Sequence, residues 1–214
     1  MTKPTRHLIL FVRAPRFGAV KSRLARDIGR LPAWAFYRRT LQAMFLRLGR
    51  DRRWRTWIAV APDRARISPT PVRARTFAQG PGDLGQRMAR ALAHPPTGPA
   101  VLVGGDIPGI RPAHIAEAFR RLGSHDAVFG PADDGGYWLA GFSRRNHGGA
   151  KLSARAFAVA RGRAPNKKVR WSTAHALADT LANLGGTKIA PPLETLADVD
   201  DGAAYERFIS ASAP

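Results

Sequence analysis

The apolar positions of this 214-residue chain switch repeatedly between two spacings. Short continuous apolar runs read as buried strands, and they alternate with longer stretches of helical period. The first run is His7 to Ala14, closed by Pro15. A loop over 13–20 leads into a helix from Lys21 to Ile28, stopped at Gly29. Pro32 is placed to open a second helix, with Trp34, Phe36, Leu41, Met44, Phe45 and Leu48 as its apolar positions up to Gly49. Strands are expected at Trp54–Ala61 and Arg75–Ala78, then a helix at Leu84–Leu92 capped by Asp83. Ala100–Gly104 is the clearest strand, and Pro112 opens the helix after it, through about Leu122. Asp126–Phe129 and Tyr137–Phe142 read as extended, on either side of the turn-rich 130–136. The basic stretch 143–170 has no dominant period. Beyond it, Ser172 or Thr173 is placed to cap a helix to Leu184, Thr187–Ala190 reads as a short strand, and a last helix surrounds Tyr205–Ile209.

Strands alternating with helices imply an α/β fold: a three-layer α/β/α arrangement around a mostly parallel sheet covered on both faces. The length fits one domain spanning 1–214. In such sheets ligands lie beyond the carboxyl ends of the strands, so the residues that follow each strand carry the chemistry.

Four segments meet that condition. After the first strand, Arg13, Gly18, Lys21 and Arg23 bring cations and a glycine to a helix N-terminus, which suits phosphate, although a solvated basic loop has the same composition. The spacing is not that of a Walker A loop. Gly80-Pro81-Gly82-Asp83-Leu84-Gly85 matches the dinucleotide pattern literally, but Asp83 would set a negative charge against a pyrophosphate. A capped turn, or a nucleotide-facing loop using Gly82 and Arg87, explains it better. Gly104-Gly105-Asp106 ends the clearest strand. Gly105 allows close approach, and Asp106 is a carboxylate where magnesium, which needs only one or two carboxylates beside phosphate and water, would sit. Asp133-Asp134-Gly135-Gly136-Tyr137-Trp138 follows a strand as well. Asp134 suits a substrate pocket, while Tyr137 and Trp138 read equally well as core. Near the C-terminus, Asp198-Val199-Asp200 supplies a second carboxylate or a helix cap.

Charge and composition narrow the class. The formal charge is +20, with 29 arginines among the 35 cations, and the chain has no cysteine. Disulfides and thiolate metal sites are therefore excluded. None of the six histidines pairs at metal-ligand spacing. No apolar run approaches the about 18–20 residues of a membrane span, and no signal peptide is evident, so a cytoplasmic location is expected. The excess charge fits a nucleic-acid binder in principle. The arginines are scattered rather than clustered, which argues against nucleic acid and for a field that draws in phosphorylated anions.

Taken in order, these segments resemble a known family. The loop Arg13-x-Pro15-x-x-Gly18-x-Val20-Lys21-Ser22-Arg23-Leu24, the turn Gln79-Gly80-x-Gly82-Asp83-Leu84-Gly85-x-Arg87-Met88, Gly105-Asp106-Ile107-Pro108, Gly130-Pro131-Ala132-x-Asp134-Gly135-Gly136-Tyr137, Trp171-Ser172-Thr173 and Asp198-Val199-Asp200 cover the chain from about residue 7 to 209. They resemble the largely uncharacterised bacterial GT-A-type nucleotide-diphospho-sugar transferases. The stretch Ala19–Leu24 is also similar to the phosphate loop of phospholactate guanylyltransferase-like nucleotidyltransferases. The resemblance implies a Rossmann-like sheet, a nucleoside triphosphate or nucleotide-sugar as partner, and Mg2+ or Mn2+ held by Asp106 and Asp200. It implies Lys21, with Arg13 and Arg23 as helpers, as the basic groups that hold the phosphates. The chain departs from the related synthetases after the last aspartate, reading Asp201-Gly202-Ala203-Ala204. Acceptor specificity is expected in 143–170. The implied activity is nucleotidyl transfer to a small phosphorylated or acidic acceptor. Its alternatives are glycosyl transfer from a nucleotide-sugar and a non-catalytic basic nucleic-acid-binding protein.

Overall fold

A computed structural model describes residues 4–67, 74–144, 149–159 and 167–212. The opening apolar run forms β1 (His7–Arg13), followed by α1 (Ser22–Ile28), α2 (Arg30–Gly49), β2 (Arg55–Ala61), β3 (Arg75–Ala78) and α3 (Leu84–Ala93). The second half holds β4 (Ala100–Gly104), α4 (Pro112–Arg121), β5 (Ala127–Pro131), β6 (Tyr137–Phe142), α5 (Gly149–Ala156), α6 (Ala176–Ala182) and α7 (Gly202–Ser212).

The six strands make one sheet in the order β3-β2-β1-β4-β6-β5. β1 lies parallel to β2 and β4, and β2 parallel to β3. β6 runs antiparallel to both β4 and β5. The sheet is therefore mostly parallel, as its apolar runs imply. Successive strand residues point to opposite faces, and the core divides accordingly. Leu8, Leu10, Val12, Val101 and Val103 pack with Leu41, Met44, Phe45, Ile115 and Phe119 from α2 and α4. Ile9, Leu102, Ala140 and Phe142 pack on the other face with Met88, Leu92 and Phe157. A third, smaller cluster joins Leu24, Phe36 and Val199, with Tyr205 and Phe208 against it, and ties α7 to the first two helices.

Several boundaries differ from the sequence expectation. α2 begins at Arg30, two residues before Pro32, because proline is tolerated in a first turn whose N–H groups have no helical partner. Asp83 caps α3 as expected, accepting from Gln86 N, with Gln86 Oε1 accepting in return from Asp83 N. Neither Ser172 nor Thr173 caps α6. His175 holds that position without a side-chain cap, and Thr173 Oγ1 instead closes a turn, donating to Arg170 O and accepting from His175 N. Thr187–Ala190 is reduced to a single bridge between Ile189 and Ala127. The last helix is longer than expected, and Asp201, not Asp198 or Asp200, bonds its first turn. The 143–170 stretch contains α5, and parts of it lie outside the described residues.

Candidate functional site

β1 and β4 are neighbours and parallel, so Arg13 and the Gly104–Asp106 turn emerge at the same edge of the sheet. Ile107 and Ile110 are buried, and Arg47 Nη2 donates to Pro108 O at 2.7 Å. The turn carrying Asp106 is thus fixed from below. Val199 is buried against α1 and α2 and holds Asp198 and Asp200 at the same edge. Lys21 joins them. Its Nζ lies 3.2 Å from Asp106 Oδ1 and 2.5 Å from Asp200 Oδ1. Its side chain is only 5% exposed, against 53% for Asp106 and 44% for Asp200. Burial pulls the lysine pKa down, but the two carboxylates outweigh it and leave it raised. The backbone of Lys21 is left-handed, with φ 50°.

Beside this corner opens a cavity of about 390 Å3. Arg13, Arg87, Asp106, Asp134 and Asp198 line its polar side. Arg87 Nη1 donates to Gln79 Oε1 at 3.1 Å, and Gln79 Nε2 donates to the carbonyls of Val12 and Ala59, each at 3.0 Å. Gln79 is buried, so it braces the ends of β1 and β2 and holds Arg87 over them. Burial, and then the charge on Arg13, lower the Arg87 pKa from its ordinary value. Tyr37 fixes Arg13 by accepting from its N–H and donating to its carbonyl. Burial first, and Asp106 second, push the Tyr37 hydroxyl up. Asp134 Oδ1 accepts from Gly136 N at 2.9 Å, closing a turn through Gly135, whose φ of +81° favours glycine. Asp198 is pushed up to about 6 by burial, then by Asp200 and Asp134. The cavity therefore sets two guanidinium groups against three carboxylates. That arrangement suits an anion joined to a cation.

The expected site residues are distributed unevenly. Lys21, Asp106 and Asp200 converge, and Arg13, Arg87, Gly105 and Asp134 line the cavity. Gly18, Arg23, Gly82 and Asp83 do not line it. Gly18 and Arg23 are exposed, and the Asp83 carboxylate is engaged in its helix cap. Gln79, Tyr37 and Asp198 complete the site without having been assigned a role there. Asp198 carried a signal in its Asp-x-Asp repeat. Tyr37 carried none, lying in α2 outside the apolar positions read for that helix.

The fold is that of the nucleotide-diphospho-sugar transferases. A crystal structure described as a "putative nucleotide-diphospho-sugar transferase" from Desulfovibrio desulfuricans G20 superposes with a TM-score of 0.74 at 26% identity, covering 92% of this chain and 82% of that one. CMP:2-keto-3-deoxy-manno-octonic acid synthetase complexed with CTP superposes at 0.57 with 10% identity, covering 97% and 98%. 4-Diphosphocytidyl-2C-methyl-D-erythritol synthase from Anaerococcus prevotii gives 0.56 at 10% identity, covering 98% of each chain. No curated protein matches the chain. Residues 42–159, more than half of it, match the family "Uncharacterized protein conserved in bacteria (DUF2064)", and the chain belongs to that family.

Proposed function

We propose that this protein is a metal-dependent nucleotidyltransferase, joining a nucleoside triphosphate to a small phosphorylated or acidic acceptor with release of pyrophosphate. The observation that carries this reading is the convergence of Asp106 and Asp200 on one point, marked by the Lys21 ammonium, at the mouth of a cavity lined by Arg13 and Arg87. Structural relatives of the same fold, a synthetase complexed with CTP and a diphosphocytidyl synthase, support this reading.

The donor set fits a divalent cation. Among the described residues no group of three or more His, Cys, Asp or Glu side chains is arranged to hold a metal. Magnesium does not require one, since two carboxylates with phosphate oxygens and water suffice. Asp106, which lines the cavity, and Asp200 beside it are about half exposed and would be its ligands. Mg2+ or Mn2+ bound there would neutralise phosphate charge and ease departure of pyrophosphate. Lys21 keeps the two carboxylates together against their mutual repulsion. Arg13 and Arg87 hold the phosphates by charge-assisted hydrogen bonds. A Cβ on Gly105 would press on Val12 Cγ1 at 3.0 Å, so that glycine serves the packing under the turn. The acceptor oxygen attacks the α-phosphorus, the bond to the β-phosphate oxygen breaks, and the developing charge falls beside the guanidinium groups.

The name of the Desulfovibrio relative favours glycosyl transfer from a nucleotide-sugar as the second reading. Exchange of labelled pyrophosphate into a nucleoside triphosphate supports nucleotidyl transfer. Slow release of nucleoside diphosphate from a nucleotide-sugar supports glycosyl transfer. Asp106→Asn is expected to weaken magnesium-dependent nucleotide binding by about a hundredfold, on the several-kcal/mol scale of a metal's charge stabilisation. The half-exposed position predicts an unchanged fold. Calorimetry with Mg2+ present checks this, and wild-type affinity in the variant would refute the assignment.

A further inference from the structure

The point on which Asp106 and Asp200 converge is held by a cation of the chain itself. Lys21 Nζ stands 3.2 Å from Asp106 Oδ1 and 2.5 Å from Asp200 Oδ1, and it donates a hydrogen bond to the second. It takes one oxygen from each carboxylate, as a bridging metal ion does. Magnesium on those two oxygens would lie about 2.0–2.1 Å from each. An ammonium and a divalent ion crowded onto one pair of oxygens repel strongly, so at this corner they are alternatives. Exposure decides which of the partners is free to change. The lysine side chain is 5% exposed, whereas the carboxylates are 53% and 44% exposed. A metal can reach the carboxylates from solvent, while the ammonium they release has little water to turn to. A buried charge stripped of its partners is strongly unfavourable. Metal uptake alone therefore leaves Lys21 short of an anion, and it also turns a corner of two carboxylates and one ammonium positive beside Arg13. A metal that arrives with a phosphate chain supplies the anion and offsets the charge. Within the chain, Asp198 is the other carboxylate near enough to feel the charge of Lys21.

We propose that Lys21 is a stand-in for the metal: it holds Asp106 and Asp200 until a divalent cation and a phosphate chain arrive together, then yields the carboxylates to the cation and pairs with the phosphates. The inference rests on the nucleotidyl-transfer reading for its ligands and adds an order of binding to it. The metal comes with the triphosphate and does not precede it. Lys21 thus acts against the metal when the metal is alone and for it when phosphate is present.

Calorimetry with Mn2+ alone, on the wild type and on Lys21→Gln, tests the first half. The variant is expected to bind Mn2+ about tenfold or more tightly than the wild type, because one opposing unit charge has left the corner. A lysine that merely braced the corner would loosen it on removal and give the opposite sign, so equal or weaker binding in the variant overturns the proposal. The preformed complex of Mg2+ with inorganic triphosphate tests the second half. Here the order should reverse, with the wild type tighter by about tenfold, since the variant lacks a charge-assisted bond to phosphate. An order that does not reverse overturns the transfer of the ammonium. A crystal structure of the wild type with Mn2+ and inorganic triphosphate needs no variant to fold. It should show the metal on Asp106 and Asp200 and Lys21 Nζ within hydrogen-bond reach of a phosphate oxygen. An ammonium still on both aspartates, or moved to Asp198, overturns the exchange. If both calorimetric signs hold while none of the four nucleoside triphosphates binds with Mg2+, the exchange stands and the transfer reading fails. If pyrophosphate exchanges into a nucleoside triphosphate while Lys21→Gln binds Mn2+ no better than the wild type, the transfer reading stands and the exchange falls.

Discussion

At the scale of the residue, Lys21 combines two features that are costly apart. A non-glycine residue in left-handed backbone costs about 1–3 kcal/mol, and a buried ammonium needs partners. The same conformation delivers the ammonium to Asp106 and Asp200, so the ion pairs stabilise the turn that makes them possible. His7 shows the opposite response to burial. Its Nδ1 accepts from Trp57 Nε1 at 3.1 Å, which requires an unprotonated acceptor. Burial first, then Arg144 and Arg55, lower its pKa from 6.5 to about 4, against a smaller raising effect from the Thr97 backbone. An unfolded chain takes up that proton near pH 6.5 and the folded one only near 4. Stability from neutral His7 is therefore complete above 6.5 and is lost as pH falls through that window. The variant His7→Gln keeps an acceptor for Trp57 and does not titrate. Its melting temperature is expected to fall less than that of the wild type between pH 6.5 and 4, and parallel profiles would exclude the histidine as the cause. Asp106 was legible in the sequence because a strand ending in two glycines places a carboxylate at the sheet edge. Asp198 was not singled out, because its environment is made by Asp134 and Asp200 arriving from other segments.

Elements were more legible than their ends, and their ends more than their directions. The apolar runs located β1, β2 and β4 because parallel strands buried on both faces are apolar at nearly every position. Nothing in the period of Tyr137–Phe142 revealed that β6 runs against its neighbours, since alternation is the same in either sense. The short 187–190 strand dissolved into one bridge between Ile189 and Ala127, held by Lys188 O, which accepts from Asp126 N, and by Ala190 N, which donates to Ala127 O. The turn before α3 illustrates how local and functional roles separate. The sequence placed Asp83 either as a cap or near a nucleotide, and its carboxylate accepts from Gln86 N at 2.8 Å. Asp83→Ala is expected to cost about 1 kcal/mol, the usual worth of an N-cap. In a protein of this size that lowers the melting temperature by about 2–4 °C. Nucleotide affinity should stay within about twofold of wild type, a change too small to reflect a lost binding contact. A large loss in calorimetry would return Asp83 to the binding site.

On the scale of the whole molecule, the charge of +20 raises the question of nucleic acid again, and several of the arginines behind it are engaged within the fold. Arg47 holds Pro108 O, Arg90 holds the carbonyls of Gln79 and Pro81, Arg144 holds Pro95 O, and Arg155 those of Asn183 and Gly185. Arg121 clamps Glu117 together with the Pro191 and Pro192 carbonyls. These guanidinium groups each tie a helix or loop to a carbonyl or carboxylate of another segment or of a neighbouring turn. Among the described residues no helix is long and apolar enough to cross a membrane. The remaining exposed cations still produce a positive field, so weak association with RNA or DNA is expected at low salt. Such binding should weaken steeply between about 50 and 200 mM salt, because it arises from counterion release. It should be indifferent to Asp106→Asn. Magnesium-dependent nucleotide binding should behave in the reverse way, persisting at the higher salt because it rests on a partly buried corner, and disappearing with the aspartate. Measuring both ligands on both proteins at the two salt concentrations separates the classes. If RNA affinity proved salt-resistant while no nucleotide bound at either concentration, the arginine surface would be the functional one and the Asp106 corner a structural ion pair.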